Sequence, residues 1–129
     1  TPSLHIVNTK DLLVSKAVFE AMRLEREVTG QVAVLVRRNS DAKDVKLALK
    51  GIDSNATVMR VDAARGREFA GVVIYDASGA AYASSQPINA RLLYLAATRA
   101  LHALVFISLG RPTKLLEGIP RDLLRRDEP

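Results

Sequence analysis

Apolar positions along the chain fall alternately into strand-like and helix-like spacings, the pattern of an α/β layered domain. Leu4–Val7 alternates as a short strand. From Lys10 to about Val28 the spacing predicts a long helix, with Leu13, Ala17, Ala21 and Leu24 on one face. Thr29-Gly30 ends it, as a glycine past a helix C-terminus does. Gln31-Val-Ala-Val-Leu-Val-Arg37 is a continuous apolar run suited to a central parallel strand. Asn39-Ser40-Asp41 offers an N-cap for a helix to about Leu49, in which Ala42, Val45 and Leu49 share a face before Gly51 stops it.

The second half repeats the alternation. A strand from about Ala56 to Val61 leads through Asp62–Phe69 into Gly71-Val-Val-Ile-Tyr-Asp76, a buried strand with an acid at its carboxyl end. Ala77–Gln86 is small and polar and reads as a mobile loop. Pro87 opens a helix to about Leu101 with Ile88, Leu92, Leu95 and Ala96 as its apolar stripe. His102–Leu109 is the last strand, and Gly110-Arg-Pro112 turns the chain toward a short helix or two and a charged, frayed tail. There is no repeat, low-complexity tract or linker, so residues 1–129 read as one domain with a mainly parallel sheet. The start at Thr1, without Met or a signal peptide, reads as a piece of something longer.

Composition narrows the function classes. With 48% hydrophobic and 26% charged residues over 129, the chain is neither disordered nor collagen-like. No apolar run reaches the length of a membrane span. The absence of cysteine excludes a disulfide scaffold and a thiolate metal site, and suits a reducing, cytoplasmic setting. His5 and His102 are too few for a histidine-rich zinc site. The net charge of +5 is spread evenly, +2 over residues 1–64 and +3 over 65–129. Such a balance admits nucleic acid as a partner but equally describes any solvated surface. Three Tyr, three Phe and no Trp supply few stacking platforms for bases.

Several phosphate-handling motifs are missing. There is no Gly-x-x-x-x-Gly-Lys-Ser/Thr P-loop, no Gly-x-Ser-x-Gly elbow and no Gly-x-Gly-x-x-Gly after a strand. The chain therefore lacks the parts to hold and cleave a nucleotide alone.

Three segments in order resemble the second motor domain of UvrD/Rep/PcrA-type superfamily 1 helicases. Val32-Ala-Val-Leu-Val-Arg-Arg-Asn39, with the helix after it, is similar to the family's strand of the form Ala-hydrophobic-Leu-x-Arg-x-Asn. Ala64-Arg-Gly-Arg-Glu-Phe69 leading into Val72-Val-Ile-Tyr-Asp76 is similar to motif V, Lys-Gly-x-Glu-Phe-Asp before an apolar strand. Arg91-Leu-Leu-Tyr-Leu-Ala-Ala-Thr-Arg-Ala100 is close to motif VI, Arg-Leu-x-Tyr-Val-Ala-x-Thr-Arg-Ala, and is the most specific of the three. The resemblance implies a RecA-like, three-layer α/β domain without its own P-loop. It would face the first RecA-like domain of the same chain and share ATP with Mg²⁺ with it.

The resemblance also distributes roles. It makes Arg99 an arginine finger, and a guanidinium fixed on a helix is a permanently charged fork suited to a transferring phosphoryl group. It makes Glu68 an acceptor for the nucleotide ribose, although a carboxylate capping the turn before the next strand fits the residues too. Gly66 permits close approach of backbone to ligand, or simply supplies a positive φ. Arg91 matches a family arginine, with a helix-surface role equally open. Phe69 reads as a core anchor, Tyr94 as packing or positioning, and Asp76 as a loop-positioning residue. Arg37, Arg38 and Asn39 follow a buried strand, where open α/β sheets gather ligands, and either touch a tracked strand's phosphates or form a solvated loop. Gly66, Glu68 and Arg99 are expected together at the carboxyl-end edge of the sheet.

Departures from the pattern matter as well. Asp62 stands where motif V usually has a DNA-contacting histidine, Arg65 replaces the usual lysine, and Ala70 the aspartate after Glu-Phe. Ile88 and Asn89 replace the acidic pair that often precedes motif VI. The stretch between Arg37 and Asp62 is too short for the family's large inserted subdomain. A compact domain of this kind, with the trailing Gly110-x-Pro-x-x-Leu-Leu116, looks like the HelD (helicase IV-like) branch, some of whose members bind RNA polymerase. The partners implied are therefore single-stranded DNA or RNA polymerase, with no membrane.

Overall fold

The computed structural model describes residues 2–119 of the chain. They form β1 (Ser3–Val7), α1 (Lys10–Glu27), β2 (Val32–Val36), α2 (Asn39–Leu49), β3 (Thr57–Arg60), β4 (Phe69–Ile74), α3 (Pro87–Thr98) and β5 (Ala100–Leu109). Short 3-10 turns occupy Val61–Ala64 and Lys114–Gly118. The five strands make one parallel sheet in the order β1-β5-β4-β2-β3. The expected α/β architecture is what the chain adopts.

A parallel sheet covered on both faces needs strands that are apolar throughout, and β2 and β4 are buried at every position. Val32, Val34, Val36, Val73 and Tyr75 turn toward α1 and α2, where Leu13, Ala17, Ala21, Leu24 and Val45 meet them. Ala33, Leu35, Phe69, Val72, Ile74, Leu104 and Phe106 turn the other way, toward α3 and the first 3-10 turn. Thr9 caps α1, its hydroxyl accepting from the Leu12 N–H at 3.2 Å. The return into β2 needs Gly30, at φ +130°, where a Cβ would come within 2.8 Å of the Ala70 Cβ. On the inner face of α1 the buried Glu20 carboxylate binds Arg23 at 2.6 Å, with Lys16 and His5 at 3.5 and 3.6 Å.

Four details differ from the sequence reading. The N-cap of α2 is Arg38, in extended conformation and with no side-chain cap bond, so Asn39 is already helical. Helix α3 stops at Thr98 rather than Leu101, because the Phe69 N–H donates to the Arg99 carbonyl at 2.8 Å and draws the chain into β5 from Ala100 onward. The buried stripe of α3 is Asn89, Leu92, Leu93, Ala96 and Ala97, and Ile88 is exposed. The segment 77–86 is held rather than loose. Tyr82 in it is fully buried, its carbonyl accepts from Thr113 Oγ1 at 2.7 Å, and the Ser78 hydroxyl accepts from the Ala81 N–H. The charged tail, residues 120–129, lies outside the described residues.

Candidate functional site

Parallel pairing decides which candidate residues meet. Phe69 and Ala100 open β4 and β5 and pair with each other, so whatever precedes them gathers at the amino end of the sheet. Gly66, Glu68 and Arg99 are brought together there, not at the carboxyl-end edge expected from sequence. The reason is directional. Helix α3 leaves the carboxyl end of β4 and runs back to the start of β5, so its last residue returns to the amino end.

The turn ahead of Phe69 is built by backbone sign. Gly66 has φ +81°, and a Cβ there would meet nothing within 4 Å, so the glycine serves conformation rather than space. The Arg67 guanidinium lies over the Phe69 ring at 5.3 Å, and Phe69, 2% exposed, anchors the turn in the core as the sequence reading has it. Glu68 is exposed on this turn.

Arg99 is the C-cap of α3, where the negative end of the helix dipole favours a cation. Its Nε donates to the Leu95 carbonyl at 3.3 Å, Nη2 to Thr98 Oγ1 at 3.2 Å and Nη1 to the Arg67 carbonyl at 3.2 Å. The last of these joins the helix end to the Gly66–Glu68 turn. Each terminal nitrogen carries two N–H groups, so each keeps one for an outside acceptor. Arg91 is exposed eight positions earlier, about 12 Å along the helix axis, and is not brought to Arg99. Tyr94 is also exposed, so of the two roles read for it, packing or positioning, buried packing is not what the structure gives it.

Arg37, Arg38 and Asn39 sit at the opposite, carboxyl end. There the chain leaves β2 for α2 on one face and β4 for α3 on the other. The ends of β2 and β4 therefore flank the crevice at which open α/β sheets take ligands. The Arg37 Nε and Nη2 donate to Asn89 Oδ1 at 3.3 and 3.2 Å, and Asn89 Nδ2 donates to the Ala83 carbonyl at 3.1 Å. Arg38 is exposed and faces Asp41 at 3.4 Å, and Asn39 is exposed.

Asp62 is exposed and paired with Arg60, whose Nε reaches Oδ1 at 2.9 Å. That bond, aided by the charges of Arg60 and Arg37, outweighs desolvation and holds the Asp62 carboxyl below the usual range. Asp76 takes φ +59°, rare for a residue with a Cβ, and its Oδ1 accepts from the Leu109 N–H at 3.0 Å. Its carboxylate thereby ties the chain just past β4 to the end of β5. The hydroxyls of Tyr75 and Tyr82 are buried and have no hydrogen-bond partner among the described residues, and burial pushes both phenols up.

Two contributors were missed in the sequence. Asn89 is a buried polar residue three and four positions ahead of Leu92 and Leu93, and an amide within an apolar stripe was the available signal. The Arg67 carbonyl left no signal, because a backbone acceptor has none. Among the described residues no three His, Asp or Glu side chains gather as a metal-holding group. No helix among them is long and apolar enough to cross a membrane.

Comparison with known proteins gives two likenesses. Residues 55–107 match the family model described as the UvrD-like helicase C-terminal domain. That segment runs from β3 into β5 and contains Gly66, Glu68, Arg91 and Arg99, but not Arg37–Asn39. No curated protein sequence matches the chain. Among solved structures, the C-terminal domain of a possible DNA helicase from Lactobacillus plantarum WCFS1 is similar, with a TM-score of 0.76 and 22% identity. The alignment covers 95% of this chain and 82% of that one, and at this identity it shows a shared fold.

Proposed function

We propose that the chain is the second motor domain of a UvrD-like, ATP-driven helicase or translocase, working across a cleft from a first RecA-like domain that holds ATP with Mg²⁺. One observation carries the reading. Within the segment matching the helicase C-terminal family, Arg99 is docked on the Arg67 carbonyl beside an exposed Gly66–Glu68 turn, with an N–H left on each terminal nitrogen. An anionic ligand fits such an edge, because the guanidinium is already aimed and needs little reordering to meet a phosphate oxygen. ATP supplies the phosphoryl bond to be broken. Arg99 faces the charge that develops on the γ-phosphoryl group, Glu68 accepts from the ribose, and the turn at Gly66 keeps backbone near the nucleotide. Arg91, far along the helix, has no part in this set.

In this reading, closing and opening of the cleft move the two domains relative to each other, and Arg37, Arg38 and Asn39 at the far end hold phosphates of a single strand. The decisive experiment is ATP hydrolysis by the full-length protein, wild type against Arg99→Ala. A loss of about a thousandfold with unchanged folding is expected, whereas a rate within about threefold would reduce the motif VI likeness to scaffold. The isolated domain is expected to turn over no ATP.

A second reading is favoured by Asp62, an exposed carboxylate where the resembled motif V carries a strand-contacting histidine. In it the protein is an ATP-driven, HelD-like switch on RNA polymerase that does not unwind processively. Stimulation of hydrolysis by single-stranded DNA separates the two, since a translocase requires it and a switch does not.

A further inference from the structure

We propose that Asn89 is the positioning residue for Arg37, holding one edge of its guanidinium so that the other edge meets a phosphate of the bound strand. The proposal rests on the reading of Arg37 as a strand contact and adds what aims it. A free arginine side chain samples many rotamers, so an arginine that must present a fork gains from being held in advance. Asn89 is 5% exposed, and its Oδ1 accepts from both Nε and Nη2, which form one edge of the guanidinium. The Nη1/Nη2 edge is left for a bidentate phosphate contact. The amide cannot turn freely, because Nδ2 donates to the Ala83 carbonyl in the segment 77–86. That segment is fixed in turn by Thr113 on the Tyr82 carbonyl.

Neutrality of the holder is the second part of the argument. An aspartate in the same place would hold Arg37 at least as firmly but cancel the charge that a phosphate needs. The acids of this region are engaged elsewhere: Asp62 pairs with Arg60, Asp41 faces Arg38, and Asp76 accepts from the Leu109 N–H. An amide therefore supplies aim without neutralisation, and it does so from the first turn of α3 across 52 positions of sequence.

The test is fluorescence anisotropy of labelled oligo-deoxythymidine with the full-length protein at several salt concentrations. Four variants are compared with wild type: Arg37→Ala, Asn89→Ala, the double variant and Asn89→Asp, with thermal unfolding recorded for each. Arg37→Ala should weaken binding about tenfold and lower the salt slope by about 0.7. Asn89→Ala should weaken it about threefold, and the double variant should bind no worse than Arg37→Ala alone. Asn89→Asp should lower the salt slope as Arg37→Ala does, which a merely structural role would not produce. Additive single effects, or a wild-type slope in Asn89→Asp, would overturn the positioning role. If Asn89→Ala does not fold, Asn89→Asp decides, since it keeps the shape and the acceptor. Weakened binding in Arg37→Ala with none in the Asn89 variants defeats this proposal alone. Wild-type binding in Arg37→Ala defeats the strand reading of this end and the proposal with it.

Discussion

The amino and carboxyl ends of the sheet each hold an arginine, but by different means. Arg99 rests on the Leu95 and Arg67 carbonyls and the neighbouring Thr98 hydroxyl, whereas Arg37 rests on the side chain of Asn89. Carbonyls are present whatever the side chains are, so the aim of Arg99 depends on where α3 ends and on the turn at Gly66. The aim of Arg37 depends on one amide. The first arrangement rests mainly on backbone geometry; the second hangs on one side chain.

The strongest test of this difference is Arg99→Lys, which keeps the charge but loses the fork that reaches two acceptors at once. We expect hydrolysis by the full-length protein to fall about a hundredfold or more in single-turnover assays, with strand binding unmoved. Next is Gly66→Ala, which disturbs the amino end through backbone alone. A Cβ at φ +81° should cost about 1–2 kcal/mol, read as a fall of several degrees in Tm, and should lower hydrolysis more than strand binding.

Glu20 tests the body that both ends share. Burial pushes its carboxyl up, but the Arg23 hydrogen bond and the charges of Arg23, Lys16 and His5 pull harder, leaving it below the usual range. The unfolded chain therefore takes up the proton first as pH falls. The stabilising contribution is complete above the ordinary value of 4.5 and is lost as pH drops through the lower folded value. Wild type should melt above Glu20→Gln at pH 7 by about 1 kcal/mol of stability, and the gap should close toward pH 3. The smallest effect expected is that of Arg37→Lys, which keeps one phosphate contact and loses the Asn89 edge. Anisotropy should report about threefold weaker strand binding with a nearly unchanged salt slope.

Much of the fold was legible in the chain because its elements announce themselves locally. The apolar run 32–36, the spacing of Leu13, Ala17, Ala21 and Leu24, and Gly30 and Gly51 as helix stops each need only a few neighbours to be read. Arg99 and Glu68 were expected together from the resemblance of their two segments to motifs V and VI, and the ladder joins those segments at Phe69 and Ala100. Their end of the sheet was misplaced, since that depends on the direction in which α3 returns, which no motif encodes. Segment 77–86 was misjudged for a related reason. Its small polar residues suggest freedom, while its order comes from Tyr82 and from Thr113, thirty-one positions later. The Arg37–Asn89 contact spans still more sequence.

The pairing of β1 with β5 has a consequence for synthesis. Ser3 lies opposite Val105 and Val7 opposite Leu109, so among the described residues β1 finds its one neighbour in β5, the last of the five strands to be made. A chain emerging from the ribosome can assemble β2, β3 and β4 early, but β1 waits until residues 100–109 are free. Parallel strands so distant in sequence close slowly, because the loop entropy is lost before any contact repays it. Until then α1 has β2 and β4 beneath it but lacks Val105 and Ile107, leaving part of its apolar face open to chaperones or to aggregation. A nascent chain stalled ahead of Ala100 should accordingly remain protease-sensitive at α1, while one released past Gly110 should become resistant.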